Sequence, residues 1–223
     1  MLIIGHRGAA ALEPENTIRS FKKAQDYRVD MIELDVRLSR DNQLVVFHDH
    51  SLQRLFNVTK SVNTATLDEL KAISRAAQRE IPTFEEALQN ISCPIIVHVK
   101  VHGAENLLMN AIRRFSHKVV ISSTFPGVLK KVRALDENVP LGLVIGHGEL
   151  HLLPIINWLT KNLNLYSIHP NYGLVSGISI KGLKLLKKKI FVWTVNTPEQ
   201  YQKVANLGVD GIMTDCPNLF RTD

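Results

Sequence analysis

The chain has 223 residues, of which 45% are hydrophobic and 22% charged, an ordinary globular composition that excludes a disordered or fibrous protein and suffices for one sizeable core. Its formal charge of +6 and pI near 9.4 favour anionic partners. The basic residues are scattered, however, with no run of cationic and aromatic residues to track a strand, so no nucleic-acid partner is expected.

In chain order, the first apolar run, residues 1–4, meets Gly5, His6 and Arg7 at once. It is too short for a signal-peptide core or a membrane span, so a cytoplasmic location without stable membrane anchoring is expected. Cys93 and Cys216, far apart and in no metal-ligand spacing, agree with a reducing compartment. Strands are expected at 2–5, 31–36, 95–99, 119–122, 141–145, 165–168, 190–195 and 211–214, where short β-branched runs stand between segments of helical period.

The helical segments carry apolar residues three and four apart: Ile18, Phe21 and Ala24; Leu108, Ile112 and Phe115; Val128, Val132 and Leu135; Leu152, Ile156, Leu159 and Leu163. Thr83 with Glu86 has capping-box spacing, as does Thr197 with Gln200 behind Pro198, and Gly208 ends that last helix. The run Lys184, Lys187, Lys188 and Lys189 is read as the solvated end of a helix. Eight strands alternating with helices predict an α/β fold, a TIM (β/α)8 barrel in a single domain spanning 1–223. One region breaks the alternation: a turn at Asp41 and Asn42 leads into an extra strand at 44–47, and a loop-rich stretch follows at about 51–82. Residues 49–82 are read as a small insertion after the second strand, near the barrel mouth.

Side chains alternate along a strand, and a barrel strand has one interior face. If Ile32, Leu34 and Val36 face the helices, Glu33 and Asp35 point inward side by side. Such a pair either binds Lys or Arg or takes a divalent cation. The same parity puts His6 with Ile4, His48 with Val46, and His98 and Lys100 with Ile96. All sit at the C-terminal ends of their strands, where barrel enzymes keep reacting groups.

The segments His6-Arg7-Gly8, Pro14-Glu15-Asn16-Thr17, Glu33-x-Asp35, His48-Asp49, Trp193-Thr194-Val195-Asn196, and Gly208-Val209-Asp210-Gly211 through Thr214-Asp215-x-Pro217 occur in this order. As an ordered set covering nearly the whole chain, they resemble the signatures of the glycerophosphodiester phosphodiesterase family. The resemblance implies a metal-dependent phosphoric diester hydrolase that converts small glycerophosphodiesters to sn-glycerol 3-phosphate and an alcohol. It implies His6 and His48 as general acid and base, without saying which is which, Glu33 and Asp35 as ligands of one divalent metal ion, and Arg7 as a phosphate contact. Lys100 is read as a phosphate contact or a carboxylate partner, and Trp193 as a pocket wall against the glycerol or as packing. Asp49 is read as orienting a loop or His48, with metal ligation as the alternative. Residues 14–17 serve either as a helix start capped by Asn16 or Thr17 or in a direct role.

The chain departs from the family on its third barrel strand, where Glu-x-Lys is usual and His98 and Lys100 stand instead. The resemblance implies Mg2+ or Ca2+, whereas an imidazole at this place suits Mn2+ or Zn2+ better. Three outcomes stay open: His98 ligates such an ion, it stands behind a magnesium held by Glu33, Asp35 and waters, or the site is crippled. Two other functions compete with the leading one: a lysophospholipase D-type phosphodiesterase, for which Leu52, Leu55 and Phe56 of the insertion would offer an apolar groove, and a phosphate-ligand-binding barrel with weakened catalysis.

Overall fold

The computed structural model describes residues 1–146 and 153–221. Eight parallel strands close on themselves: β1 (Leu2–His6), β2 (Met31–Leu38), β4 (Ile95–Val99), β5 (Val119–Ser123), β6 (Leu141–Ile145), β7 (Ser167–Pro170), β8 (Lys189–Val192) and β9 (Gly211–Thr214), with β9 and β2 both paired to β1. A ninth strand, β3 (Leu44–Val46), lies antiparallel on β2 outside the ring, Val36 opposite Val46 and Leu38 opposite Leu44. Helices α1 (Ile18–Asp26), α4 (Phe84–Asn90), α5 (Glu105–Arg113), α6 (Pro126–Leu135), α7 (Leu153–Asn162), α8 (Gly177–Lys184) and α9 (Pro198–Asn206) follow successive barrel strands, with α1 and α4 on either side of the excursion. This is the closed barrel with surrounding helices of the TIM type.

Strand parity sorts the core into two layers. Ile32, Leu34, Val36, Ile95, Val97 and Val99 face outward, in one buried cluster with Phe21 and Ala24 of α1, Leu108 of α5, and Val128 and Val132 of α6. Inside the barrel, Ile4, Met31, Ile96, Val120, Phe191 and Met213 form a smaller cluster beneath the mouth. Full burial of each such side chain contributes about 1.5–3 kcal/mol, so the register that points Glu33 inward is fixed by the apolar residues on either side of it.

Local signals start the helices where expected. Thr17 accepts a hydrogen bond from Ser20 N, and Thr83 and Thr197 make reciprocal capping boxes with Glu86 and Gln200. Gly208 follows α9 in the left-handed region with φ 64°. Leu152, read as the first apolar position of its helix, lies outside the described residues.

Four expectations need correction. The stretch 51–82 is not mainly loop: it holds a short helix α2 (Gln53–Phe56) and a ten-residue helix α3 (Leu67–Ala76). A capping box of Thr66 with Glu69 starts α3, and Leu70 packs into a separate small core with Val45, Phe47, Leu52, Val62, Ala65 and Ile81. The strand expected at 165–168 is β7, shifted to Ser167–Pro170, because its inward polar residues satisfy each other: Ser167 Oγ lies 2.7 Å from His169 Nε2. The strand expected at 190–195 ends at Val192, after which Trp193 bridges to Asn171. The lysine run is only partly a helix end, since α8 stops at Lys184, Lys187 turns with φ 53°, and Lys189 opens β8 with Nζ 2.7 Å from Asp210 Oδ1.

Candidate active site

The site lies at the C-terminal ends of the barrel strands. His6 ends β1, and the chain turns sharply behind it, with Arg7 at φ 54° and Gly8 at φ 89°. A Cβ on Gly8 would lie 2.4 Å from Ser20 Oγ and 2.6 Å from Ser20 C, so only glycine fits against the start of α1. The turn brings Arg7 N–H to donate to Glu33 Oε2 at 3.1 Å.

Glu33 and Asp35 both point into the barrel and are only 3% and 1% exposed. Asp35 is surrounded by donors. Asn16 Nδ2 donates to its Oδ2 at 2.9 Å, while Lys100 Nζ and Arg7 Nε stand 3.4 and 3.3 Å away. Burial works against its charge, but Lys100 and Arg7 outweigh it and hold the carboxyl below the usual range. Glu33 moves the other way: burial first, then the Asp35 charge, raises it to about 7. Asn16, with φ 59°, also accepts from Asp35 N at 3.2 Å, so Asn16 serves the carboxylate and Thr17 caps the helix.

Each of the two mouth imidazoles is held at Nδ1 by a carboxylate. His6 Nδ1 lies 2.7 Å from Asp215 Oδ1, and Asn196 Nδ2 donates to Asp215 Oδ2 at 2.6 Å. His48 Nδ1 lies 2.6 Å from Asp49 Oδ1. An ionised carboxylate only accepts, so Nδ1 carries the hydrogen in both rings and Nε2 is left for chemistry. Burial would raise both carboxyls, but the hydrogen bonds from His6 to Asp215, and from Arg54 and His48 to Asp49, keep them low. Burial pulls the His48 imidazole below its ordinary value. The network continues outward: Arg54 Nε donates to Asp49 Oδ2, its Nη atoms donate to both Glu15 oxygens at 2.8 and 2.7 Å, and Glu15 Oε1 also accepts from Arg7 Nη1 at 2.8 Å.

His98 faces the carboxylates of β2, with Nδ1 3.5 Å from Asp35 Oδ1 and 3.8 Å from Glu33 Oε1, and its buried Nε2 has no hydrogen-bond partner among the described residues. Burial keeps the ring uncharged. Glu33, Asp35 and His98 each offer one ligand atom within 4.8 Å of the others. The approaches to His98 are too long for hydrogen bonds, as they would be between ligands that share a cation. The charge balance agrees. Arg7 and Lys100 offset the two carboxylates of β2, so a divalent ion held between Glu33, Asp35 and His98 would add positive charge at the point where a phosphodiester anion has to sit. These residues fit a divalent metal ion.

His6, Arg7, Glu33, Asp35, His48, His98, Lys100 and Trp193 all line one cavity of about 50 Å³. Trp193 Nε1 donates to His169 O at 2.8 Å, which turns the indole onto the cavity wall. Every site residue singled out in the sequence thus meets in one place. Glu15 takes the direct role left open for residues 14–17 through Arg7 and Arg54, whereas Asp215, Asn196, Arg54 and His169 carry no role in the sequence reading. Asp215 shares strand parity with inward-facing Met213, a signal that could have found it.

A profile of the Glycerophosphoryl diester phosphodiesterase family matches residues 6–219. A glycerophosphodiester phosphodiesterase of Caldanaerobacter subterraneus subsp. tengcongensis is 33% identical over 97% of this chain and 94% of its own. The crystal structure of the glycerophosphodiester phosphodiesterase of Thermotoga maritima superposes with a TM-score of 0.89 at 29% identity, covering 99% of this chain and 96% of that one. An Oleispira antarctica phosphodiesterase, solved with the product sn-glycerol-3-phosphate, has the same fold, with a TM-score of 0.85 at 24% identity over 97% of this chain and 94% of that one. With the family's profile spanning nearly its whole length and close relatives at both levels, the chain belongs to the glycerophosphoryl diester phosphodiesterase family, whose members are phosphoric diester hydrolases.

Proposed function

We propose that this protein hydrolyses small glycerophosphodiesters to sn-glycerol 3-phosphate and an alcohol, with His6 and His48 as the acid–base pair. The observation that carries the reading is that two imidazoles, each fixed at Nδ1 by its own carboxylate, line one cavity with Glu33, Asp35 and His98.

The chemistry follows from what each group offers. Arg7 and Lys100 supply positive charge for the phosphodiester anion, and Arg7 keeps a planar guanidinium for its oxygens. One imidazole takes the proton of the attacking hydroxyl at Nε2, whether that hydroxyl belongs to water or to the substrate's own neighbouring glycerol carbon. The other, starting as the imidazolium, gives a proton from Nε2 to the departing alcohol oxygen as its bond to phosphorus breaks; where the glycerol hydroxyl attacks, the cyclic phosphodiester left is opened by water with the two rings in exchanged roles, which yields sn-glycerol 3-phosphate. Asp215 and Asp49 stabilise whichever ring becomes cationic. Trp193 closes the side of the cavity against the glycerol. Glu33, Asp35 and His98 would hold one divalent ion, which when bound neutralises charge on the phosphoryl oxygens. The neutral His98 nitrogen favours Mn2+ or Zn2+ over Mg2+ or Ca2+. The chain works as one barrel domain carrying the 49–82 insertion, free of nucleic acid. Its two unpaired cysteines, and the lack of a helix long and apolar enough to cross a membrane among the described residues, support a cytoplasmic role without stable membrane anchoring.

The test is an assay of chelator-stripped protein with each divalent ion added back. It uses glycerophosphocholine, glycerophosphoethanolamine and a lysophosphatidylcholine, with sn-glycerol 3-phosphate and free headgroup as readouts. Ion-dependent release from the water-soluble diesters is expected, and His6→Ala or His48→Ala should lower kcat by about 10²–10⁴-fold. Turnover confined to the lysolipid would move the assignment to a lysophospholipase D. No turnover with any ion would leave only a phosphate-binding barrel.

A further inference from the structure

We propose that Arg54 is a positioning residue that couples the His48 imidazole to the Arg7 guanidinium, so that general acid–base and phosphate-holding groups are set by one strut. The inference rests on the acid–base reading above and names a residue to which that reading gives no part.

Arg54 sits on the short helix α2 of the 49–82 excursion and bonds into the site. Its guanidinium is used on three sides. Nε donates to Asp49 Oδ2, whose other oxygen holds His48 Nδ1 at 2.6 Å. Nη1 and Nη2 grip Glu15 at 2.8 and 2.7 Å, and Glu15 Oε1 holds Arg7 Nη1 at 2.8 Å. Arg7 in turn reaches Glu33 through its N–H and Asp35 through Nε. The order along this path is His48, Asp49, Arg54, Glu15, Arg7, so removing Arg54 leaves both carboxylates free to rotate away from the groups they orient.

The Arg54 side chain is 47% exposed, whereas Glu15 is 14% and Asp49 21% exposed. A half-exposed guanidinium adds little to stability through its ion pairs, because water and salt screen them. What it supplies is direction, since the planar fork meets two carboxylates in fixed geometry. A lysine would keep the charge and lose the fork. Arg54 also brings a positive charge next to the Asp49–His48 pair, which is faced as well by Asp35, Arg7 and Lys100.

The experiment is a double-mutant cycle on kcat/KM with a companion titration. Arg54→Ala and Arg54→Lys are each expected to lower kcat/KM by about 10–100-fold, as outer partners of oriented histidines do. In an Asp49→Asn background the further loss should be smaller than in the parent, because the Asp49 arm of the path is already cut and only the Glu15 arm remains to be lost. Guanidinium ion at sub-denaturing concentration should restore part of the rate to Arg54→Ala, and ammonium at equal ionic strength should not. Multiplicative losses, or a wild-type rate in Arg54→Lys, would overturn the proposal. Independently of turnover, the His48 ring proton resonance of Arg54→Ala should titrate at lower pH than in the parent, since the Asp49 hydrogen bond that favours the charged ring is loosened; an unchanged or raised titration would count against the coupling. If the parent itself shows no turnover, the functional reading fails while the titration still decides the role of Arg54.

Discussion

His98 Nδ1 lies 3.5 Å from Asp35 Oδ1 with no hydrogen bond between them, and the His98 Nε2, in the buried wall of the site, has no partner among the described residues. A neutral nitrogen donor therefore stands where an oxygen donor would complete a site for a hard cation. His98→Glu should raise Mg2+-supported turnover and weaken Mn2+ or Zn2+ binding measured by calorimetry. Unchanged metal preference would remove His98 from the ligand set.

Asp215 should matter as much as the imidazole it holds. Asp215→Asn keeps the shape but lets the amide donate to Nδ1, which selects the wrong His6 tautomer. A fall in kcat of about 10²–10⁴-fold is expected, with the hydrogen shifted to Nε2 in nitrogen-resolved NMR. Wild-type kinetics in this variant would sever His6 from proton transfer.

His169 gives the fold a pH dependence of its own. It is fully buried, its Nδ1 has no partner among the described residues, and burial lowers its pKa to about 3. The unfolded ring has an ordinary value near 6.5, so between about 6.5 and 3 the unfolded chain binds a proton that the folded one refuses. This contribution to stability is complete above the upper value and is lost as pH falls through the window, by up to about 1.4 kcal/mol per unit. Urea unfolding from pH 7 to 4 should show a shallower decline in His169→Asn than in the parent. Parallel profiles would mean that His169 takes up a proton without unfolding.

The excursion helix α3 is held by its cap. Thr66→Ala removes the acceptor for Glu69 N and should cost about 1 kcal/mol in urea denaturation. No loss would indicate that packing of Leu70 alone fixes the helix.

The barrel and the inward polar residues of β1, β2 and β4 were legible because one rule governs both. Ile32, Leu34 and Val36 had to face helices, so Glu33 and Asp35 had to face in, and the same period placed His6, His98 and Lys100. The partners of these residues were harder to find. Asn196, Glu15 and Arg54 lie off the strands, where no periodicity relates position to direction, and Glu15 and Arg54 meet across 39 positions of sequence. His169 was missed for a different reason: the apolar pair Leu165 and Ile168 drew the expected strand two residues early. Helix α3 carries both the Thr66 and Glu69 spacing and the apolar residues Leu67, Leu70 and Ile73 three apart, a short pattern set between the turn-rich residues on either side of it.

The most direct test is anomalous diffraction from crystals grown with Mn2+. The account expects one peak at the barrel mouth, about 2.0–2.3 Å from carboxylate oxygens of Glu33 and Asp35 and a nitrogen of His98, with the Nε2 atoms of His6 and His48 facing the space beside it. A peak elsewhere, or a mouth that stays without one at millimolar Mn2+, would contradict it.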